Sequence, residues 1–348
     1  MGFMQTIDFK NLKIKELQPN SEFEKKVQIF INSWFSDSEK VEVQTSGSTG
    51  TPKIFEIEKS RMLASAKKTC DFLDLKDGNS ALLCLPIEYI SGKMMVVRSL
   101  FRNLKLTISD PSLKPLENLK QEIDFCAMTP LQVENSLDKL HLIKKLIIGG
   151  ASVSTNLKSQ ISNLKLKNQI FETYGMSETL SHIGLRQIFP IEEMYFSLFE
   201  RISISQDDRG CLKINAPELN SEILQTNDLV EIINEKQFRF LGRVDNVINS
   251  GGAKIFPEEL EGLVKKEIPN EVVFLGIPDE ILGQKLVLVI EELGVSNLES
   301  QENLKSQITN LKFEKSFHKP KEIIFVDEIP RTPNGKVNRI KLQNLLDK

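Results

Sequence analysis

The chain has 348 residues, 40% of them hydrophobic and 27% charged, with a formal net charge of −3 at pH 7. That is ordinary globular composition, which excludes a disordered or fibrous chain, and no apolar run approaches the roughly 20 residues that cross a bilayer. A slightly acidic balance offers no surface to nucleic acid, so neither nucleic acid nor stable membrane insertion is expected, and the length predicts about two domains.

The N-terminus carries no basic-then-apolar signal pattern, so a cytoplasmic location is expected. Met1-Gly2-Phe3-Met4-Gln5-Thr6 fits the myristoylation pattern, which is short and common. A helix is predicted over Glu22–Trp34. Further along, strands are predicted at Ala81–Pro86, Lys105–Ile108, Phe125–Met128, Lys145–Ile148 and Gln169–Glu172. Between them, Ser60–Leu75, Ser91–Leu104, Pro130–Leu140 and Thr155–Leu164 carry Leu, Ile, Val and Met at helical spacing. Thr129 before Pro130 is a start signal: a side-chain cap, then a proline whose missing N–H costs nothing there. The alternation predicts βαβ crossovers and a mostly parallel, doubly wound sheet, with ligands beyond the carboxyl ends of its strands.

After Pro190 the pattern changes. Leu212–Ile214, Ile223–Gln225, Leu229–Ile233 and Gln237–Leu241 read as short strands of a small antiparallel β unit. From Val244 a second block follows: helices at Pro257–Lys266 and Leu298–Lys312, strands at Glu271–Leu275, Lys285–Glu291 and Glu322–Val326. The expectation is therefore a large α/β N-terminal domain, 1–243, and a small mobile α+β C-terminal domain, 244–348. Cys70, Cys84, Cys126 and Cys211 lie far apart without a C-x-x-C pair, which predicts core thiols in a reducing compartment rather than zinc ligands or disulfides.

The strongest chemical signal is Thr45-Ser46-Gly47-Ser48-Thr49-Gly50-Thr51-Pro52-Lys53. Glycines let a backbone bend close to an anion, hydroxyls supply short donors, and Lys53 adds a positive charge. This suits a polyphosphate better than a flexible linker, which gains nothing from ending in Pro-Lys. It is not a Walker A loop, since Lys53 follows Pro52 and precedes Ile54, which tells against a nucleotide kinase.

Further motifs follow: Gly149-Gly150-Ala151, Tyr174-Gly175-Met176-Ser177-Glu178-Thr179, Thr226-Asn227-Asp228, Gly242-Arg243-Val244-Asp245, Gly251-Gly252 through Pro257-Glu258-Glu259, and Pro330-Arg331-Thr332-Pro333-Asn334-Gly335-Lys336. In this order, and over nearly all of the chain from Thr45 onward, the series resembles the adenylate-forming acyl-CoA synthetase superfamily. The resemblance implies ATP, Mg²⁺ and CoA as reactants beside a small carboxylic acid, and leaves open a homo-oligomer.

Chemistry explains what such motifs must do. A thiol cannot displace oxide from a free carboxylate, so the acid first becomes a mixed anhydride with AMP. That brings two anions together and calls for cations and oriented donors where charge crowds. The resemblance implies that Lys336 bridges carboxylate and α-phosphate, that Glu178 holds Mg²⁺ as a hard carboxylate does, and that Ser177 or Thr179 donates to the α-phosphate. It implies that Tyr174 stacks on adenine beside Gly149, Gly150 and Ala151, with Gly175 in the same segment. Asp228 would accept from the ribose hydroxyls with help from Arg243, although a turn-forming aspartate is its ordinary alternative. Asp245 matches the hinge about which the small domain turns, bringing Gly251 and Gly252 to the CoA channel. Intact Glu178, Asp228, Arg243 and Lys336 argue against a silent nucleotide-binding module.

For the acid, Tyr89 stands where many relatives carry a histidine gate. Lys93, Arg98, His182 and Arg186 surround the segments that border the family's acyl pocket, and Tyr89, Lys93, His182 and Arg186 are the candidates for substrate contact. A second carboxylate on the substrate wants such cations. The chain is short for the superfamily on its N-terminal side. Together with Tyr89-Ile90-Ser91-Gly92-Lys93 and Ser181-His182-Ile183-Gly184-Leu185-Arg186, it resembles the short o-succinylbenzoate–CoA ligases of menaquinone biosynthesis, which act on an aromatic keto-diacid. Another aromatic or short acid is the alternative.

Overall fold

The computed structural model describes residues 5–12, 17–44, 54–292, 298–331 and 337–346. At its centre the strands Lys105–Ile108, Ser80–Leu83, Ile123–Met128, Ile143–Ile148 and Gln169–Gly175 lie side by side in that order, all parallel. Their near-continuous apolar runs follow from burial on both faces. Leu83, Phe125, Ala127 and Ile147 point into one core, whereas Leu82, Cys126, Met128, Leu146 and Ile148 point into another, as the two-residue period of a strand requires. Helices Glu22–Trp34, Lys59–Phe72 and Ile90–Phe101 cover the first face, and Thr155–Ser162 with the short Pro130–Glu134 covers the second. The sheet is doubly wound.

The antiparallel strands expected as a small β unit of the large domain are present and extend this sheet. His182–Phe189, Phe196–Leu198, Gln237–Arg243, Leu224–Asn234, Cys211–Asn215 and Ser203–Gln206 continue it in that spatial order. Thr6–Asp8, which the sequence pattern did not reveal, pairs antiparallel with Lys105–Ile108 at the other edge, for 12 strands in all. The two short strands expected at 223–225 and 229–233 are one, Leu224–Asn234, with a register shift between Leu229 and Val230. Asn227 and Asp228 have low strand propensity and read as a turn. They lie beside a bulge, which tolerates such residues.

Pro130–Leu140 was expected as one helix, but it ends at Glu134 and resumes as a 3₁₀ turn over Leu137–Leu142. Asn135 and Ser136, whose side chains compete for backbone partners, mark the break. The predicted start is as expected: Thr129 Oγ1 accepts from Gln132 N, and Gln132 Oε1 in turn accepts from Thr129 N.

Strands Lys40–Gln44 and Ile54–Glu58 form a hairpin whose pairing runs outward from Gln44 and Ile54, flanking residues 45–53. The large sheet ends at Arg243, and a second one begins at Ile248. Its central strand, Gly283–Glu291, pairs antiparallel with Val272–Asp279 and parallel with Glu322–Val326, and meets the hairpin Ile248–Ser250/Ala253–Ile255 through Ser250. Helices Pro257–Val264 and Leu298–Asn310 pack on one face through Leu260, Val264 and Ile308, and Arg339–Leu346 packs on the other through Leu342.

Candidate active site

Several predicted nucleotide residues come together where parallel strands end. Gly149-Gly150-Ala151 follows Ile143–Ile148, and Tyr174 and Gly175 close Gln169–Gly175; ligands gather at such carboxyl edges. The Tyr174 hydroxyl donates to Asp228 Oδ2 at 2.6 Å, and Arg243 Nη1 donates to Asp228 Oδ1 at 3.2 Å. Asp228 and Arg243 face each other in register on adjacent antiparallel strands. Asp228 is buried, and its own N–H donates to Thr226 Oγ1, which in turn donates to Leu212 O. The threonine of Thr226-Asn227-Asp228 thus fixes the aspartate's backbone. Burial first, and then the Asp228 charge, pushes the Tyr174 phenol well above its ordinary range, so it remains a donor. Phe196, Phe238 and Phe240 enclose its ring at centroid distances of 5.6, 4.9 and 6.2 Å.

Beyond Tyr174 the chain turns over the strand end and returns as His182–Phe189. The turn is tight enough that a Cβ at Gly175 would lie 2.2 Å from the Ser181 carbonyl oxygen, so glycine is required. Leu180 takes a positive φ of 63°, a conformation costly for a branched side chain. Thr179 Oγ1 accepts from Met176 N at 3.0 Å and donates to Ser181 O at 2.6 Å. Its hydroxyl therefore holds the turn, and of the two expected phosphate donors Ser177 is the exposed one. Glu178 is exposed beside it. Among the described residues no group of three or more His, Cys, Asp or Glu could hold a metal. A single exposed carboxylate suits magnesium, which keeps waters and shares phosphate oxygens rather than filling a protein cage.

Asp245 is tied back to Thr226-Asn227-Asp228 and to Arg243. Asn227 Nδ2 donates to both its carboxylate oxygens at 3.2 Å, and Arg243 Nη2 donates at 2.9 Å, which lowers its pKa from the ordinary carboxylate value. Gly251 and Gly252, at φ of 57° and 80°, make the turn between Ile248–Ser250 and Ala253–Ile255, where two consecutive positive φ values favour glycine. Thr45, Ser46, Gly47, Ser48, Thr49, Gly50, Lys53 and Lys336 lie outside the described residues, as do Met1 to Met4.

The residues expected at the acyl pocket have protein partners. Tyr89 precedes the helix Ile90–Phe101 and bridges to Gln44. Lys93 Nζ donates to Ile87 O at 2.7 Å and sits 4.9 Å over the Phe30 ring. Arg186 donates twice to Glu172 Oε2, at 2.8 and 2.6 Å, and lies over Phe196. His182 is buried, with Nε2 3.0 Å from Thr69 Oγ1 and Nδ1 3.1 Å from Ser181 Oγ. Burial, then the Arg98 charge, holds its pKa well below the ordinary histidine value.

Sequence reasoning missed Glu172. This buried carboxylate pairs with Arg186 and accepts from Val153 N at 2.9 Å, pinning the chain just after Gly149-Gly150-Ala151. A lone acid ending the apolar run Ile170-Phe171 was the available signal. Arg98 stands out differently: it is 2% exposed, donates to Ser181 Oγ at 2.7 Å, and its Nε has no hydrogen-bond partner. No carboxylate among the described residues pairs with it.

A doubly wound sheet with a phenol, a carboxylate and a guanidinium converging at its carboxyl edge, followed by a second small sheet, defines a nucleotide-binding α/β protein. The model of the AMP-binding enzyme matches residues 43–197, and that of the AMP-binding enzyme C-terminal domain matches residues 262–336. The acyl-CoA synthetase (AMP-forming)/AMP-acid ligase II-like protein from Dyadobacter fermentans is 33% identical, and the match covers 99% of this chain and 100% of that one with a TM-score of 0.66. The chain belongs to the AMP-binding enzyme family. A 2-succinylbenzoate–CoA ligase from Lactococcus lactis is 28% identical over 331 residues, covering 88% of this chain and 71% of its own. The fold is shared with the o-succinylbenzoate coenzyme A synthetase from Bacillus subtilis in complex with ATP and magnesium ion, at 20% identity, a TM-score of 0.70 and coverage of 88% of this chain and 69% of that one.

Proposed function

We propose that the chain is an AMP-forming acid–CoA ligase that converts 2-succinylbenzoate, through its acyl-adenylate, to 2-succinylbenzoyl-CoA. The observation that carries the reading is the Tyr174–Asp228–Arg243 cluster, in which one buried carboxylate is held by a phenol and a guanidinium at the carboxyl edge of the sheet. Each of its oxygens accepts one of these hydrogen bonds and keeps a lone pair with which to accept from a ribose hydroxyl. Ser177, exposed on the adjoining turn, donates to phosphate. Magnesium held by Glu178 would neutralise triphosphate charge as the carboxylate approaches, and Lys336 bridges the two reacting anions.

Arg98 reads the second carboxylate of the acid. Arg186, Lys93 and His182 are committed to protein partners, whereas Arg98 is a buried cation without an anionic partner among the described residues, its pKa brought down to about 10 by burial. An isolated buried charge is costly, and a substrate carboxylate would offset that cost. Ser181, to which Arg98 donates, lies two residues beyond Thr179, the end of the Tyr174–Thr179 motif.

Hydroxamate-trapped pyrophosphate release with a panel of acids tests this. Selective turnover of 2-succinylbenzoate is expected. Arg98→Gln should raise its KM at least tenfold, the ~1.4 kcal/mol scale of a modest charge-assisted contact, with ATP KM unchanged. Preference for benzoate or a fatty acid overturns the substrate, and no release with any acid overturns the ligase.

A further inference from the structure

Residues 332–336, which end in Lys336, lie between two described stems. Arg331 and Val337 pair as an antiparallel bridge, and Asn338 N donates to Pro330 O at 2.7 Å. The first stem is pinned by Ile329 N donating to Glu291 Oε2 at 2.7 Å, and by Arg331 Nη2 donating to Glu271 Oε2 at 3.1 Å. On the second stem, Arg339 is three positions beyond Lys336, a span of about 10 Å at most. Arg339 Nη2 meets both oxygens of Glu261, at 2.7 and 2.8 Å, and its Nη1 donates to Phe274 O at 2.9 Å. Glu261 also accepts from Phe274 N at 2.8 Å and is 9% exposed.

The same guanidinium reaches toward the chain between the two sheets. Glu258, one helical turn before Glu261, lies 3.9 Å from Arg339 Nη2 and accepts from Asn246 Nδ2 at 2.5 Å. Its Oε2 is buried without a hydrogen-bond partner, at 2.7 Å from where a Cβ of Gly242 would stand. Gly242 and Asn246 bracket Asp245. A continuous run of polar contacts therefore leads from Asn246 through Glu258 to Arg339 and Glu261, at the second stem.

We infer that Glu261 and Arg339 are positioning residues for adenylation, holding the stem of residues 337–339 that follows Lys336 in the chain. The inference rests on the proposed role of Lys336 in adenylation. An exposed ion pair would hold nothing in place, but here Arg339 Nη2 meets both carboxylate oxygens, and the pair is shielded and braced by backbone groups of Phe274 on both partners. Burial raises the Glu261 pKa while Arg339 opposes that rise.

The test measures the two half-reactions separately: acyl-adenylate formation from acid and ATP, and thioester formation from supplied acyl-adenylate and CoA. Glu261→Gln and Arg339→Lys should each lower kcat for adenylation by about 10²-fold, the effect of a displacement near 1 Å. ATP KM and the thioester step should stay within about twofold of the parent, a split that a merely structural role would not produce. Equal loss of both half-reactions, or an unchanged adenylation rate, overturns the inference, and the conservative Arg339→Lys keeps the test usable should Glu261→Gln fold poorly. Lys336→Ala separates the two ideas. If it spares adenylation, the role of Lys336 falls; if it abolishes adenylation while Glu261→Gln and Arg339→Lys are both silent, only the positioning role of Glu261 and Arg339 falls.

Discussion

The Tyr174 hydroxyl reaches the Asp228 carboxylate at 2.6 Å while its ring is fixed among three phenylalanines. The ring and the hydroxyl can therefore be tested apart. Tyr174→Phe keeps the aromatic packing and removes one donor to a buried carboxylate, an interaction worth about 1.5–3 kcal/mol. ATP KM should rise about 10–100-fold while kcat stays nearly constant, as initial rates over an ATP series will show; an unchanged KM would mean that Asp228 needs no help from the phenol. Motif spacing made Tyr174, Asp228 and Arg243 legible, because each stands in a short segment whose residue types suit one task. The commitments of other side chains were not legible. Arg186 meets Glu172, fourteen residues away, only because Glu172 and Arg186 fall opposite each other in the pairing of two antiparallel strands. Thr179 differs from Ser177 only in which hydroxyl faces its own turn.

Where elements meet, His182 joins the start of strand His182–Phe189 to helix Lys59–Phe72 through Thr69, beside Arg98 on helix Ile90–Phe101 and against the edge of Phe199. No carboxylate among the described residues pairs with either His182 or Arg98, so nothing there favours an imidazolium. The unfolded chain binds a proton at His182 near pH 6.5 and the folded one does not. Below that pH the unfolded state holds more protons, so stability rises with pH across the interval. The contribution is complete above about pH 6.5 and is lost as pH falls toward the depressed folded value. The urea midpoint should therefore drop between about pH 8 and pH 5.5, above the ordinary carboxylate range, and His182→Gln should flatten that drop. A wild-type profile as flat as the variant's would mean that His182 is protonated in the folded chain. Elements with strong periodicity and a local signal, such as Glu22–Trp34 and the cap at Thr129–Pro130, could be read from sequence. Membership of a sheet could not. Whether Leu224–Asn234 belongs to a separate unit or extends the central sheet depends on Phe196–Leu198 bridging His182–Phe189 to Gln237–Arg243, a long-range pairing that no local pattern encodes.

At the scale of the whole molecule, the apolar clusters divide at the segment around Asp245. The two that flank the large sheet contain no residue beyond Phe240, and the two that flank the small sheet begin at Ile248. Polar contacts cross between them: Asn246 to Glu258, and Glu258 against Gly242. Polar contacts of this kind couple units weakly compared with a shared core, so two folding units joined near residue 243 should melt separately. Leu288, fully buried on the central strand of the small sheet, reports on one of them. Leu288→Ala should cost about 2–5 kcal/mol within its own unit. Calorimetry should then show two transitions in the parent, of which the variant lowers only one. Saturating ATP should raise the other, because a ligand stabilises only the unit whose folded form it binds. A single transition whose calorimetric and van't Hoff enthalpies agree, moved as a whole by Leu288→Ala, would instead make the chain one cooperative body. That outcome would tell against the proposed swivel about Asp245, because a small sheet that unfolds only together with the large one is not an independent body.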